Sequence, residues 1–370
     1  MLHLAELTGP HPVSWVDIET DDVLARLFYP CKSSGACVAK TPVLPNTWFY
    51  ASGLAHFLRR SYLKYILAPT LAASYAPVAK DSPIDAGREY PILFFSHGLS
   101  GMRSMYTSFC ANMASHGFLV AAIEHRDESA CRSQRRNFEV DVPYRHPAHY
   151  DDDFVRDFRS EQLCVRSAEV SACVELVRAL HRGDPVENLL PGCAADLAMF
   201  KGRMLLSKMI LSGHSFGGAT TLTALQDPAS PFVLGLVQDP WMLAVKKDLP
   251  ISAPVYSLQS ERFHWQWHID RIKQDFSSQT YHGSKGSVFA VLKDTIHASF
   301  SDYPMLAPSL LKFGKALPPS ANPEQSMRLA VESSINFIKL RMEGDGDEEY
   351  FSNGNVPAEA CGLVFGEKAK

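Results

Sequence analysis

The residues best placed to do chemistry are Met209-Ile210-Leu211-Ser212-Gly213-His214-Ser215-Phe216-Gly217-Gly218-Ala219-Thr220-Thr221-Leu222. An apolar run fit for a buried strand leads into a glycine-flanked serine, and small residues fit for a helix follow. A serine on so sharp a strand-to-helix turn stands clear of the sheet, and Gly213 and Gly217 leave room for the backbone to close up around it. The chemistry this suits is nucleophilic attack on an acyl group. A serine hydroxyl is a poor nucleophile at neutral pH, so it needs a histidine base and a carboxylate that fixes the histidine tautomer.

Both partners are expected later in the chain, in the order serine, acid, histidine, on loops that leave successive strands. Asp239 closes the apolar run Leu234-Gly235-Leu236-Val237-Gln238 and precedes Pro240, which suits the acid; Asp227, Asp248 and Asp302 are less well placed. Among His264, His268, His282 and His297, only His297 follows a convincing strand, Phe289 to Leu292, and it is the expected base. His264 and His268 lie among Trp265 and Trp267, where packing explains them better. The amide of Phe216 is one expected oxyanion donor, and that of Leu99, in the His-Gly loop after Tyr90 to Phe95, is the other. His97 and His214 flank these points and are expected to shape loops. Glu124-His125-Arg126-Asp127 could suggest a metal or acid-base site, but four consecutive side chains do not converge on one point, so a hydrogen-bonded loop is expected.

Positioning these groups requires a sheet. Val13 to Ile18 and Leu24 to Tyr29 predict an antiparallel hairpin at one sheet edge. Tyr90 to Phe95, Phe118 to Ile123, the elbow strand, Phe232 to Val237, Pro254 to Leu258 and Val288 to Leu292 are short apolar runs suited to strands buried on both faces. Helical patterns alternate with them, at about 104–116 with Gly117 as its cap, at about 153–181, and at about 323–340. Residues 124–153 read as irregular. Strand alternating with helix predicts a mostly parallel central sheet with helices on both faces, the α/β-hydrolase arrangement. One domain is expected over residues 1–343, followed by an acidic, glycine-rich and disordered tail over 344–370.

A net charge of −4 and the lack of any concentrated basic stretch beyond Arg132 to Arg136 argue against a nucleic-acid partner. The start of the chain has neither a basic segment nor an unbroken apolar run, so no secretion signal is expected and a cytoplasmic location is. Eight cysteines form no C-x-x-C pair, which argues against a zinc site; no metal or cofactor is expected. Cys110, Cys164 and Cys173 read as core fillers, and Cys31 with Cys37 is the single pair close enough to bridge. The segment from Trp48 to Leu67 mixes aromatic and leucine side chains with Arg59, Arg60 and Lys64. It suits either a helix packed on the sheet or a surface resting on lipid.

Taken together, Phe95-Ser96-His97-Gly98-Leu99, Ala114-Ser115-His116-Gly117-Phe118, Ala121 to Asp127, Gly213 to Thr220, Asp239-Pro240-Trp241-Met242 and His297-Ala298-Ser299-Phe300-Ser301-Asp302 resemble the monomeric platelet-activating factor acetylhydrolases. The resemblance implies Ser215 as nucleophile, Asp239 as acid, His297 as base, and Leu99 and Phe216 as oxyanion donors. It implies calcium-independent removal of a short or oxidised acyl chain from the sn-2 position of a glycerophospholipid. It also implies peripheral contact with a membrane or lipoprotein surface, with Tyr62, Leu63 and Ile66 as contact residues. A general carboxylesterase, a long-chain phospholipase and a non-catalytic binding protein on the same fold are the rival readings. Pro240, where the family has a small residue after the acid, and a more basic membrane segment are departures from the pattern.

Overall fold

The computed structural model describes residues 2–32, 41–247, 249–263, 266–277, 286–306, 312, 317–342 and 363–365. The chain forms two compact units, Met1–Met209 and Ile210–Lys370.

In the first unit, two short strands, β1 (Leu2–His3) and later β4 (Thr41–Pro42), flank β5 (Ser74–Ala76) in a small sheet. The larger sheet holds β2 (Val13–Glu19), β3 (Leu24–Pro30), β6 (Ala79–Lys80), β7 (Tyr90–Ser96) and β8 (Leu119–Ile123), in the order β7-β8-β3-β2-β6. β2 and β3 form the expected hairpin, in register from Val13 opposite Pro30 to Glu19 opposite Leu24. Ala79 and Lys80 pair along Ser14 and Trp15, so the hairpin lies one short strand in from the edge. β7 and β8 are parallel, and all five residues of β8 are buried. That burial is why both strands read as unbroken apolar runs.

Two helices, α1 (Thr47–Phe57) and α2 (Lys64–Ala72), follow β4, and α3 (Thr107–Ser115) connects β7 to β8. Residues 124–153, expected to be irregular, instead contain a hairpin of β9 (Arg132–Arg135) and β10 (Val140–Pro143). Its strands are polar, and side-chain bonds hold them: Arg132 grips Asp141 at 2.8 Å through two nitrogens, and Gln134 donates to Glu19 at 2.9 Å. No hydrophobic period marks such a hairpin. α4 (Asp152–Arg182) is the long helix of this unit. The Asp151 carboxylate caps it through the Phe154 amide, and Gly183 at φ 78° ends it. Cys110 and Cys173 are buried as expected, and burial pushes the Cys173 thiol up to about 12; Cys164, also expected in the core, is exposed on α4. The pairing suggested for Cys31 involves Cys37, outside the described residues.

β11 (Met204–His214) ends in the second unit, where Ile210–His214 pairs in parallel with β12 (Leu234–Gln238). β12, β13 (Val255–Ser260) and β14 (Val288–Leu292) continue in parallel, and β15 (Leu363–Phe365) adds antiparallel to β14. β15 lies within the stretch expected as a disordered tail; the rest of that stretch lies outside the described residues. Helices α5 (Phe216–Leu225), α6 (Gln266–Ser277), α7 (Tyr303–Leu306) and a last helix, Pro323–Met342, complete the unit. A mostly parallel sheet with helical crossovers and a serine at the β11–α5 turn is the α/β-hydrolase fold.

Candidate active site

The turn between β11 and α5 sets Ser215 at φ 57° and ψ −118°, a backbone conformation unfavourable for a side-chain-bearing residue. The strain is held by hydrogen bonds on both sides: the Ser215 amide donates to the Gln238 carbonyl at 2.9 Å, and the Ser215 carbonyl accepts from Trp241 at 3.0 Å and Ala219 at 3.1 Å. A Cβ at Gly213 would lie 2.2 Å from the Gly217 carbonyl oxygen, so the turn can close only with glycine there. Phe216 is the first residue of α5, at the positive end of the helix dipole.

Asp239 leaves β12 at φ 44° with its side chain fully buried. Its carboxylate accepts from the Ser260 amide at 2.6 Å and the Ser260 hydroxyl at 2.5 Å, both from the exit of the neighbouring β13. The Asp239 amide donates to the Leu258 carbonyl at 2.9 Å. Pro240 packs directly on the elbow, because a Cβ at Gly218 would lie 2.8 Å from its Cα. The proline and that glycine therefore fit as a pair.

His297 opens a short 3₁₀ turn, His297–Phe300, after β14. Its Nε2 lies 2.8 Å from Ser215 Oγ and its Nδ1 3.0 Å from Asp239 Oδ2. In the tautomer this geometry favours, Nδ1 donates to the carboxylate and Nε2 accepts from the hydroxyl. Both ring nitrogens are thereby engaged, and the carboxylate at Nδ1 is that of Asp239, not Asp227 or Asp302. Asp248, His264 and His282 lie outside the described residues. The His297 side chain is 34% exposed, so substrate could reach it, while Ser215 is 9% exposed.

Ser260 and Phe263, which the sequence did not single out, complete this arrangement together with His214 and His268. Ser260 holds the carboxylate as described. Phe263 stacks on the His297 ring with centroids 3.8 Å apart and planes 15° apart, and His214 lies on the same imidazole at 4.5 Å. His268, fully buried, has its Nε2 2.5 Å from the Pro240 carbonyl, so it braces the loop that carries Asp239. Only Ser260 had a positional signal, since it sits at the end of the strand next to Asp239. Burial, and then the neighbouring His297, push the His214 imidazole well below its usual range, so it stays neutral. Among the described residues, His214, Asp239 and His297 each offer a donor atom within 4.8 Å of the others, a spacing a metal would accept. Ligating one would require His297 to release either Ser215 or Asp239, so these residues do not fit a metal.

In the first unit, Leu99 lies in the loop after β7. The Gly98 amide donates to the Tyr106 hydroxyl at 3.2 Å, the Ser100 amide to the Ser129 carbonyl at 2.8 Å, and the Gly101 amide to the Gly98 carbonyl at 3.0 Å. Among the described residues, Leu99 alone of these four has an amide with no acceptor. His97 accepts the His125 amide on Nε2 at 3.0 Å and lies 2.8 Å from the Gly98 carbonyl through Nδ1, which fixes its tautomer. The Glu124-His125-Arg126-Asp127 loop is the expected hydrogen-bonded turn, and its side chains diverge. Glu124 binds Tyr50 and Arg103, His125 meets Ser96 and Glu169, Arg126 donates to the Thr20 and Asp21 carbonyls, and Asp127 pairs with Arg166.

Of the proposed lipid contacts, Tyr62 and Ile66 are 58% and 59% exposed, and Leu63 is half-buried. α1 buries Tyr50, Leu54 and Ala55, while Trp48, Leu58 and Tyr65 remain exposed near them in sequence. One side of this segment is thus in the core and another is bare. Among the described residues, no helix is long and apolar enough to cross a membrane.

A family described as platelet-activating factor acetylhydrolase, isoform II, matches residues 2–358. Platelet-activating factor acetylhydrolase of Gallus gallus is 29% identical over 92% of this chain and 84% of its own length. A putative phospholipase A2 of Schizosaccharomyces pombe is 27% identical over 90% of this chain and 88% of its own. Among solved structures, a ferulic acid esterase from Streptomyces cinnamoneus superposes with a TM-score of 0.67 at 14% identity, covering 98% of this chain and 99% of that one. At that identity the likeness speaks for the fold alone.

Proposed function

The chain belongs to the platelet-activating factor acetylhydrolase family, isoform II, and from that premise we propose a calcium-independent serine esterase acting on platelet-activating factor-like glycerophospholipids. Its bond of choice would be the sn-2 ester of a short or oxidised acyl chain. The observation that carries the chemistry is His297, with Nε2 2.8 Å from Ser215 Oγ and Nδ1 3.0 Å from Asp239.

In this reading Ser215 Oγ attacks the sn-2 carbonyl carbon while His297 Nε2 takes its proton. Asp239 holds the resulting imidazolium, and its buried carboxylate stays oriented because Ser260 donates to it twice. The tetrahedral oxygen is assigned to the Phe216 amide at the start of α5 and, on the sequence argument, to the Leu99 amide. His297 returns the proton to the leaving lysophospholipid oxygen. Water, deprotonated by the same imidazole, then releases the short acid from the acyl-serine. Family membership does not favour the general carboxylesterase, the long-chain phospholipase or the silent binding protein. Peripheral contact with lipid through Tyr62, Leu63 and Ile66, and a cytoplasmic location, belong to the same proposal.

The test is turnover of an acetylated ether phospholipid by wild type and Ser215→Ala. Loss on the order of a million-fold is expected. Near-normal rates in the variant would overturn the assignment. A series of sn-2 chain lengths should show the rate falling steeply as the chain grows, and a flat series would point to a long-chain phospholipase.

A further inference from the structure

α4 places a guanidinium in the interior of the first unit that takes no part in the chemistry above. The Arg166 side chain is fully buried. Nη1 donates to the His97 carbonyl at 2.7 Å, Nε to Asp127 Oδ2 at 3.0 Å, and Nη2 to Ser129 Oγ at 2.6 Å; Ser96 Oγ lies 3.3 Å from Nη1. Asp127 Oδ1 in turn accepts from the Ser129 amide at 3.1 Å and the Ser129 hydroxyl at 2.5 Å.

Burying a cation is unfavourable by several kcal/mol unless pairing and hydrogen bonds replace its water, and an apolar side chain of similar volume would serve packing as well or better. The planar fork does something an apolar chain cannot, which is to fix several oxygens at once in set directions. Here those oxygens belong to two segments that bracket Leu99. On one side Arg166 holds the His97 carbonyl, in the peptide just before the one that carries the Leu99 amide. On the other it holds Ser129, whose carbonyl accepts the Ser100 amide at 2.8 Å. The residues before and after Leu99 are therefore tied, directly or through one residue, to a single rigid group on the long helix.

We propose that Arg166, with Asp127 and Ser129, is a positioning device for the Leu99 amide, clamping the loop on both sides so that this N–H is kept in place and uncommitted for an oxyanion. The inference rests on the reading of Leu99 as an oxyanion donor. Arg166 is a positioning residue and touches no reacting atom.

The experiment compares wild type, Arg166→Met and Ser129→Ala for kcat on a short-acyl ester and for affinity toward two ligands. One is a lipid-like trifluoromethyl ketone, whose carbonyl carbon Ser215 Oγ attacks to form a hemiketal while the hydroxyl proton passes to His297. The other is a diether phospholipid, which has no carbonyl and so makes no oxyanion. Arg166→Met should lower kcat and weaken the ketone by a matching factor of roughly ten- to a hundredfold, since a full donor is worth 10²–10³. Ser129→Ala should do the same to a smaller degree, with diether affinity and KM within twofold in both.

Unchanged kcat and ketone affinity in folded Arg166→Met would overturn the proposal, as would ketone and diether affinities falling together. If Arg166→Met does not fold, Ser129→Ala decides on the same criteria. A wild type that forms no Ser215 adduct with the ketone would instead refute the serine-esterase reading itself, so the two failures are separable.

Discussion

Phe263 lies face to face with His297, centroids 3.8 Å apart and planes 15° apart, so the proposed base is held by a ring as well as by its two hydrogen bonds. A hydrogen bond at each nitrogen fixes the axis from Asp239 to Ser215 but leaves the ring free to tilt about it. A parallel aromatic face restricts that tilt, and a ring face also favours the imidazolium that forms in the transition state.

Replacing Phe263 with alanine should therefore lower kcat about fivefold, the effect of losing roughly 1 kcal/mol of aromatic contact, with KM little changed. Steady-state kinetics on p-nitrophenyl acetate and on an acetylated phospholipid would show it. A leucine at the same position, apolar but not planar, should recover only part of the rate. Full recovery by leucine would reduce the contact to ordinary packing.

Ser260→Ala removes the hydroxyl that donates to Asp239 Oδ2 at 2.5 Å and leaves the Ser260 amide bond at 2.6 Å in place. A hydrogen bond to a charged group contributes about 1.5–3 kcal/mol, so kcat should fall by roughly ten- to a hundredfold if the carboxylate loses its orientation. Cysteine, which keeps a weak donor, should fall between the two. Rates of Ser260→Ala within twofold of wild type would show that the backbone bond alone suffices.

The turn at Ser215 was legible because its geometry demands particular residues: no side chain fits at Gly213, and glycine is conspicuous in a sequence. Asp239 and His297 were legible because each follows an apolar strand. Phe263 was not, since its part depends on which loops meet in space, and a lone phenylalanine in a loop carries no period; Ser260 had only its place at the end of the strand next to Asp239, and for His268 the sequence showed packing but not its partner. The hairpin of β9 and β10 escaped for a related reason: its cohesion comes from Arg132 with Asp141 and from Gln134 with Glu19, not from alternating apolar residues. The diverging partners of Glu124 to Asp127 show the limit from the other side. The sequence indicated that these side chains could not meet, but not that each would anchor a different element.

Glu169 should make stability fall with rising pH. Burial pushes its carboxyl from 4.5 to about 7, against the pull of the Arg126 amide and side chain. Because the folded chain then holds a proton that the unfolded chain has already lost, stability from this group is fully present below about 4.5 and is lost as pH rises through about 7. The upper bound is about 3.5 kcal/mol, since each tenfold change in proton affinity is worth about 1.4 kcal/mol. Glu169→Gln keeps an acceptor for Arg126 and removes the titration. Urea unfolding should therefore show the variant gaining on wild type between pH 5 and pH 8, and an equal difference at the two pH values would refute the assignment.

The bare side of α1 and α2 gives the lipid proposal its own test. Tyr62 and Ile66 are 58% and 59% exposed, and Lys64 lies over both Trp48 and Tyr65 at 5.6 and 5.3 Å from their ring centroids. Aromatic and aliphatic side chains sharing a surface with cations suit the headgroup zone, where rings enter the acyl boundary and ammonium groups meet phosphate. Each buried side chain of this size is worth about 1.5–3 kcal/mol on leaving water. Tyr62→Ser with Ile66→Ser should therefore weaken partitioning onto phosphatidylcholine vesicles at least tenfold. Hydrolysis of the water-soluble p-nitrophenyl acetate should be unchanged, because neither residue belongs to the proposed catalytic machinery. If the double variant co-sediments with vesicles as well as wild type does, the exposed residues have no part in binding lipid. If soluble-ester hydrolysis falls along with partitioning, the segment supports the fold and does not act as a docking surface.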